Sequence, residues 1–134
     1  MTTEELEKLV AEEFPGAIPE EFRGKIKNVA FLIEDMPSLA LRQEEDLGPG
    51  MTLLGHYRGI PYTARGDYYG MGATMPDTIT LFAVPILELA QEMGGTEVHV
   101  RQVIRETIWH EVAHHFGMDE SAVRRREEER QKGV

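Results

Sequence analysis

Residues 110–120 read HEVAHHFGMDE, and they close the longest helical pattern in the chain. On an α-helix, residues four apart lie on the same face, one turn above each other. His110 and His114 can therefore present two imidazole nitrogens to one ion. Glu111 is offset from His110 by about 100° around the helix axis, which keeps it near that ion without making it a third ligand. The spacing predicts a metal site on a helix.

Gly117 and Glu120 extend the pattern to H-E-x-x-H-x-x-G-x-x-E. A glycine just past the second histidine can adopt the left-handed conformation that ends a helix, so the chain can turn back towards the ion. A side chain three residues later can then reach that ion, and Glu120 has this spacing. Asp119 is the alternative third ligand, although its spacing fits the pattern less well; it could also accept a hydrogen bond from a ligand histidine or cap a helix.

The predicted site is a zinc site because of its donor set. Two histidines and a glutamate form an accepted zinc site that leaves a fourth position open for water. The chain contains no cysteine, which excludes disulfides, thiolate metal sites and a cysteine nucleophile. We therefore expect one zinc ion held by His110, His114 and Glu120.

The position of Glu111 in the pattern indicates hydrolytic chemistry. In H-E-x-x-H proteins this glutamate is the general base of a zinc-dependent peptidase, which hydrolyses peptide bonds with metal-activated water. Two other interpretations remain open. The chain could be a metal-binding module without catalytic activity, or it could bind a protein partner and retain only a vestigial site.

Composition and charge limit the other functions. The 134 residues are 41% hydrophobic and 28% charged, as in a soluble globular protein with one core. We expect a single domain over residues 1–134. The net charge of −10 argues against nucleic-acid binding and against docking on an anionic membrane. Because no apolar segment could span a bilayer and residues 1–7 lack a signal-peptide pattern, we expect a cytoplasmic protein.

Hydrophobic periodicity and turn residues divide the chain into short elements. Helices are predicted at 2–14, 19–25, 85–93, 97–116 and 120–131, and strands at 28–35, 52–58 and 78–82. The first helix should end at Pro15 and Gly16. The nearly all-apolar strand 28–35 is typical of a central strand covered on both faces. Residues 37–50 are predicted to form a loop.

Four segments together resemble a small bacterial family of minimal zincin-like proteins, described as zinc metallopeptidases and otherwise uncharacterised. The segments are VAFLIEDMP at 29–37, LLGHYRGIPYTAR at 53–65, PDTITLF at 76–82 and HEVAHHFG at 110–117. The last is shared by many zincins, whereas the four in combination are specific. The resemblance extends from about Asn28 to Glu120.

The resemblance implies an α+β fold: one compact domain with a small mixed β-sheet of about three to four strands, packed on a long active-site helix with flanking helices. It also implies zinc ligands at His110, His114 and Glu120, with Glu111 as the base. The family usually has an apolar residue where this chain has His56, which leaves open whether His56 lies near the site. The separate downstream methionine turn of metzincins is absent, and Met118 lies inside the motif.

A peptidase also needs a donor for the developing oxyanion and a surface for its substrate. The candidate donors are His56, Tyr57, Tyr62, Arg65, Tyr68 and Tyr69. We expect the loop at 62–75 to form the rim of the cleft, and a peptide or protein substrate to add as a strand to the open edge of the sheet. His115 is interpreted as a packing or ligand-orienting residue, and Trp109 as part of the core. The sequence specifies neither the oligomeric state nor the substrate.

Overall fold

The computed structural model describes residues 1–24, 26, 28–59 and 76–117. Within these ranges the elements follow in the order α1 (Thr3–Ala17), α2 (Glu20–Arg23), β1 (Val29–Glu34), α3 (Leu39–Glu44), β2 (Gly55–Arg58), β3 (Asp77–Phe82), α4 (Ala83–Met93) and α5 (Glu97–His115). The strands form a mixed sheet in the order β1-β3-β2. β1 is parallel to β3 and β2 is antiparallel to it. The predicted α+β fold with a small mixed sheet is confirmed.

Helix α5 is the element against which the others pack. It begins after two glycines with positive φ, Gly94 and Gly95. The Thr96 N–H donates to Nδ1 of His99 at 3.3 Å, so a histidine fills the place that glutamate or glutamine takes in most capping boxes. Helices α1 and α4 and strands β2 and β3 all contact α5. The helix is therefore covered on more than one face.

The buried face of α5 forms the centre of the hydrophobic core. Ile104 and Ile108 are fully buried, and so is Trp109, whose ring lies against Phe22 with centroids 5.4 Å apart. The prediction that Trp109 belongs to the core is confirmed. Residues from α1, β3 and α4 complete this core: Leu6, Leu9, Val10, Ile79, Leu81, Ile86 and Ala90. This burial fixes the helix that carries the histidines.

The prediction that strand 28–35 is central was wrong. Among the described strands β1 pairs with β3 alone, and Leu32 is 53% exposed. The central strand is β3, where Ile79 and Leu81 are fully buried. An apolar strand segment shows that a strand has a buried face, but it does not reveal how many neighbours that strand pairs with.

Two predicted boundaries also need correction. Helix α1 continues through Pro15 and Gly16 to Ala17, which is fully buried. Proline has a helical φ, so near a helix end it mainly removes one hydrogen bond. The segment at 37–50 contains α3 instead of being loop throughout, because the Ser38 hydroxyl accepts a hydrogen bond from the Leu41 N–H at 3.1 Å and Leu41 is buried. The predicted helix at 120–131 lies outside the described residues.

Glu13 joins α1 to α5 through two arginines. Its Oε1 lies 2.7 Å from Nη1 of Arg105, and its Oε2 lies 2.9 Å from Nη1 of Arg101. Burial by itself would raise the pKa of the Glu13 carboxyl. The hydrogen bonds and charges of Arg105 and Arg101 together outweigh that effect, so the pKa is lowered. A glutamate with a lowered pKa stabilises the folded state above the unfolded-state pKa, and this stabilisation is lost as the pH falls.

We expect Glu13→Gln to lower the free energy of unfolding near neutral pH by about 1–3 kcal/mol, because two charge-assisted hydrogen bonds are weakened. The difference from wild type should shrink at about pH 3, below the ordinary glutamate pKa of about 4.3, as the wild-type carboxyl becomes protonated. Urea unfolding at both pH values measures this. Glu12→Gln is the matched control: Glu12 also contacts Arg101 but its side chain is 41% exposed, against 16% for Glu13. An equal loss in both variants would contradict the account.

Candidate metal centre

His110 and His114 lie on successive turns at the end of α5. Their ring centroids are 5.1 Å apart and the ring planes are inclined by 80°. His110 is half-buried and His114 is exposed. The two rings therefore lie side by side near the surface, at a separation that suits two ligands of one ion.

Gly117 ends this helix in the predicted way. Its φ is +78°, in the left-handed region, and its N–H donates to the His114 carbonyl at 3.1 Å. A Cβ at this position would meet no heavy atom within 4 Å, so the backbone conformation alone favours glycine. The predicted turn after the second histidine is confirmed.

Neither candidate for the third zinc ligand lies in the described part of the chain. Both Glu120 and Asp119 lie outside the described residues, as does Met118. In the part of the chain that the structure describes, no group of three His, Asp or Glu side chains is arranged to hold a metal ion. The two imidazoles have the chemistry of zinc ligands, and the predicted carboxylate ligand lies outside the described residues. Glu120 therefore stays a prediction.

Glu111 reaches from α5 to the backbone of β2. Its Oε1 accepts a hydrogen bond from the Tyr57 N–H at 3.3 Å. Burial raises the pKa of the Glu111 carboxyl, and the Tyr57 N–H and the charges of His114, His56 and His110 oppose this rise only in part. A carboxylate with a raised pKa, held beside a cleft, has the properties expected of a general base.

The Tyr57 side chain contacts both the end of α5 and strand β3. Its ring stacks on His115 with centroids 4.0 Å apart and planes inclined by 22°. Its hydroxyl donates to Oδ2 of Asp77 at 2.7 Å. The Tyr57 side chain thus links β2 to β3 and to the end of α5. Its backbone N–H, and not its side chain, contacts Glu111. His115 thus packs on Tyr57, which agrees with one of the two interpretations given for it, while a role in orienting a ligand histidine stays a prediction.

His56 lies near the site. Its Nε2 is 3.2 Å from Oε1 of Glu45, and its side chain is 17% exposed. Its charge is also one of those that lower the pKa of Glu111. His56 therefore lies within electrostatic range of Glu111. The other candidate oxyanion donors, Tyr62, Arg65, Tyr68 and Tyr69, and the predicted rim at 62–75 lie outside the described residues.

A cleft of about 380 Å³ runs along α5 from the histidine end. Its floor is one helix face at spacings of i, i+3, i+4, i+7 and i+8: Val103, Glu106, Thr107, His110 and Glu111. One wall is formed by residues 52–55, which lead into β2, and the other by Leu89 of α4. The sequence analysis did not single out Glu106, although its helical spacing from His110 could have found it.

A family profile described as zincin-like metallopeptidase matches residues 26–130. The chain belongs to the zincin-like metallopeptidase family. This match confirms the resemblance inferred from the four sequence segments. The matched region includes the H-E-x-x-H segment at residues 110–114. Comparison with curated proteins gives no match. Within the described part of the zincin-like domain, every helix is too short or too polar to cross a membrane.

Gly55 allows β2 to lie close against α5. A Cβ at this position would be 2.8 Å from Cγ2 of Thr107 and 3.1 Å from the carbonyl oxygen of Thr80. Thr107 is buried, and its hydroxyl donates to the Val103 carbonyl at 2.7 Å, so it has little freedom to move. The absence of a side chain at 55 is therefore a condition for the contact between Tyr57 and Glu111.

We expect Gly55→Ala to lower the free energy of unfolding by about 1–3 kcal/mol, because it forces an extra methyl group between β2 and α5. It should also speed hydrogen exchange at the Tyr57 amide, since the bond to Glu111 is lengthened. Urea unfolding and amide exchange measured by NMR test both effects. Gly16→Ala is the control, because a Cβ there meets no heavy atom within 4 Å. Unchanged stability and exchange in Gly55→Ala would show that the close approach is unimportant.

Proposed function

We propose that the protein is a zinc-dependent metallopeptidase that hydrolyses peptide bonds, with Glu111 as the general base. The observation that carries this proposal is the setting of Glu111. Its carboxylate accepts a hydrogen bond from the Tyr57 N–H at 3.3 Å, lines the cleft, and follows His110 directly in the chain. Membership of the zincin-like metallopeptidase family supports the same conclusion.

His110, His114 and Glu120 would hold the zinc ion, with Asp119 as the alternative carboxylate. Two observations support zinc binding here: the ring centroids of His110 and His114 are 5.1 Å apart, and Gly117 has a left-handed backbone conformation. Two histidines and one carboxylate form a donor set that zinc accepts in catalytic sites. When bound, zinc supplies Lewis-acid chemistry, which polarises a carbonyl group and makes water a nucleophile near neutral pH.

The protein's own residues then handle the proton. Glu111 accepts the proton of the attacking water and delivers it to the leaving amine. The Tyr57 N–H holds one carboxylate oxygen, which leaves the other oxygen for the water. Because burial raises the pKa of Glu111, the carboxylate is a stronger base than an exposed glutamate would be.

The substrate in this proposal is a peptide or a protein. Among the described strands β2 pairs with β3 alone, so its other edge can accept an extended peptide as an added strand. The cleft beside Glu111 is lined by Leu53, Leu54 and Leu89, which would contact a side chain of that peptide. The net charge of −10 does not suit a nucleic-acid substrate.

Glu111→Gln tests the catalytic assignment. We expect the variant to keep its zinc and to lose about 100- to 10,000-fold in kcat/KM, because general-base catalysis contributes that much. Zinc content by mass spectrometry and cleavage of a peptide library with added zinc are the two measurements. Glu92→Gln, which removes an exposed carboxylate from α4, should match wild type.

The same assay distinguishes the other interpretations. Activity that survives Glu111→Gln would refute the assigned base. Stoichiometric zinc without cleavage by the wild type would favour a catalytically silent metal-binding module. A wild type that binds no zinc would favour a partner-binding protein with a vestigial site.

Glu120→Gln and Asp119→Asn test the third ligand as a pair. We expect Glu120→Gln to weaken zinc binding more than Asp119→Asn does. If Asp119 only orients a ligand histidine, Asp119→Asn should lower the zinc affinity by at most about 10- to 100-fold. Competition with a chromophoric chelator measures both affinities. The reverse order would assign the third ligand to Asp119.

A further inference from the structure

We propose that two copies of this chain associate through strand β1, which pairs with the same strand of the second copy in antiparallel orientation. The described three-stranded sheets of the two copies then form one continuous sheet of six strands. This inference goes beyond the proposed function and depends on the fold alone. β1 carries it, because its outer edge is apolar, unprotected and complementary to itself.

Every second peptide group of β1 points away from the sheet. The Asp77 N–H donates to the Asn28 carbonyl at 2.9 Å, which marks the side of the strand that faces β3. The peptide groups of successive strand residues point to opposite sides, so Val29, Phe31 and Ile33 direct theirs outwards. β1 is the last strand in the described order, with β3 on its inner side. These three residues therefore offer a row of donors and acceptors to a further strand.

The sequence of β1 lacks the residues that keep edge strands apart. Lysine, other charged side chains and proline usually block such edges. The strand reads VAFLIE, six residues without proline, glycine or lysine, and Glu34 at its end is its one charged residue. Leu32 is 53% exposed. An apolar, exposed edge strand of this kind favours association with another chain.

One register of the pairing uses the whole strand. In an antiparallel pair, residues whose peptide groups face each other form hydrogen-bonded pairs. When Phe31 lies opposite Phe31 of the partner subunit, Val29 lies opposite Ile33 of the partner subunit, and all the outward peptide groups are used. A two-fold axis perpendicular to the sheet then relates the copies. Such an interface uses the same surface of both chains, so the assembly closes as a dimer.

The same register covers apolar side chains on both faces of the sheet. On the face that the helices cover, Phe31 is half-buried against Phe14 of α1, with ring centroids 6.0 Å apart, and it meets Phe31 of the partner subunit. On the other face, Leu32 lies opposite Ala30 of the partner subunit. This is a non-hydrogen-bonded pair, in which the Cα atoms are about 4.5 Å apart. The exposed side chain of Leu32 thereby gains an apolar neighbour.

Charge favours an antiparallel arrangement over a parallel one. In the sequence, Lys25 and Lys27 precede the strand, and Glu34 and Asp35 end it. Antiparallel pairing brings the basic end of each strand to the acidic end of the other, whereas parallel pairing would bring like charges together. The net charge of −10 on each chain opposes association at long range. The dimer should therefore be weak, with a dissociation constant in the micromolar range, and should strengthen as salt is added.

Single-cysteine variants test the register, because the chain has no cysteine of its own. A mixture of Ala30→Cys and Leu32→Cys chains, oxidised with glutathione disulfide, should form a cross-linked dimer, since a disulfide joins Cα atoms about 4.4–6.8 Å apart. Each variant alone should cross-link much less, because the same residue in the two copies lies on a diagonal, about 8 Å apart. Non-reducing denaturing gels measure the products. Val98→Cys, at a 69% exposed position of α5, replaces Leu32→Cys in the control mixture.

Sedimentation equilibrium tests the association itself. The mass of the wild type should approach twice 15.2 kDa as the concentration rises. Leu32→Lys should weaken the dimer at least roughly tenfold, because a lysine on each edge blocks strand pairing. Val98→Lys makes a similar change at an exposed apolar position on α5 and should match the wild type.

A mass that stays at 15.2 kDa up to millimolar concentration would overturn the inference and leave this edge to a different partner. A dimer that Leu32→Lys leaves intact would also overturn it, since another surface would then hold the copies together. Cross-linking of the Ala30→Cys and Leu32→Cys mixture that is no faster than that of either variant alone would refute the pairing centred on Phe31.

Discussion

The candidate site depends on the close approach of strand β2 to helix α5. Gly55 lies where any side chain would collide with Thr107, so the strand can rest directly on the helix. That approach brings the Tyr57 N–H to 3.3 Å from the Glu111 carboxylate. The carboxylate is thus buried enough for its pKa to rise, and the hydrogen bond offsets part of the cost of burying its charge.

Helix α5 combines structural and chemical roles by dividing them between its faces. One face carries Ile104 and Ile108 into the core, where α1 packs against the helix and Glu13 ties the two helices together. Another face carries Glu106, His110 and Glu111 along the cleft. Because the core holds the helix rigidly, the side chains on the cleft face keep their relative positions. Such preorganisation is what both metal binding and general-base catalysis require.

The sequence predicted the parts of the fold that depend on local patterns. Helix periodicity located α5, and Gly117 marked the end of the helix because its left-handed conformation is a local property. The position of β1 at the edge of the described sheet was missed because pairing partners are not encoded in a single strand. The contact between Tyr57 and Glu111, 54 residues apart, could not be predicted either, since it depends on how β2 packs in three dimensions. Glu120 remains a prediction from spacing alone.

We propose that two imidazoles of α5 and a carboxylate beyond Gly117 hold a single zinc ion. Zinc K-edge X-ray absorption on protein purified without chelator tests it most directly. We expect one zinc per chain, with two imidazole nitrogens and further oxygen ligands at about 2.0–2.2 Å, and the loss of this signal in His110→Ala and His114→Ala. Protein that retains no zinc, or a zinc environment that is the same after both histidines are replaced, would contradict the claim.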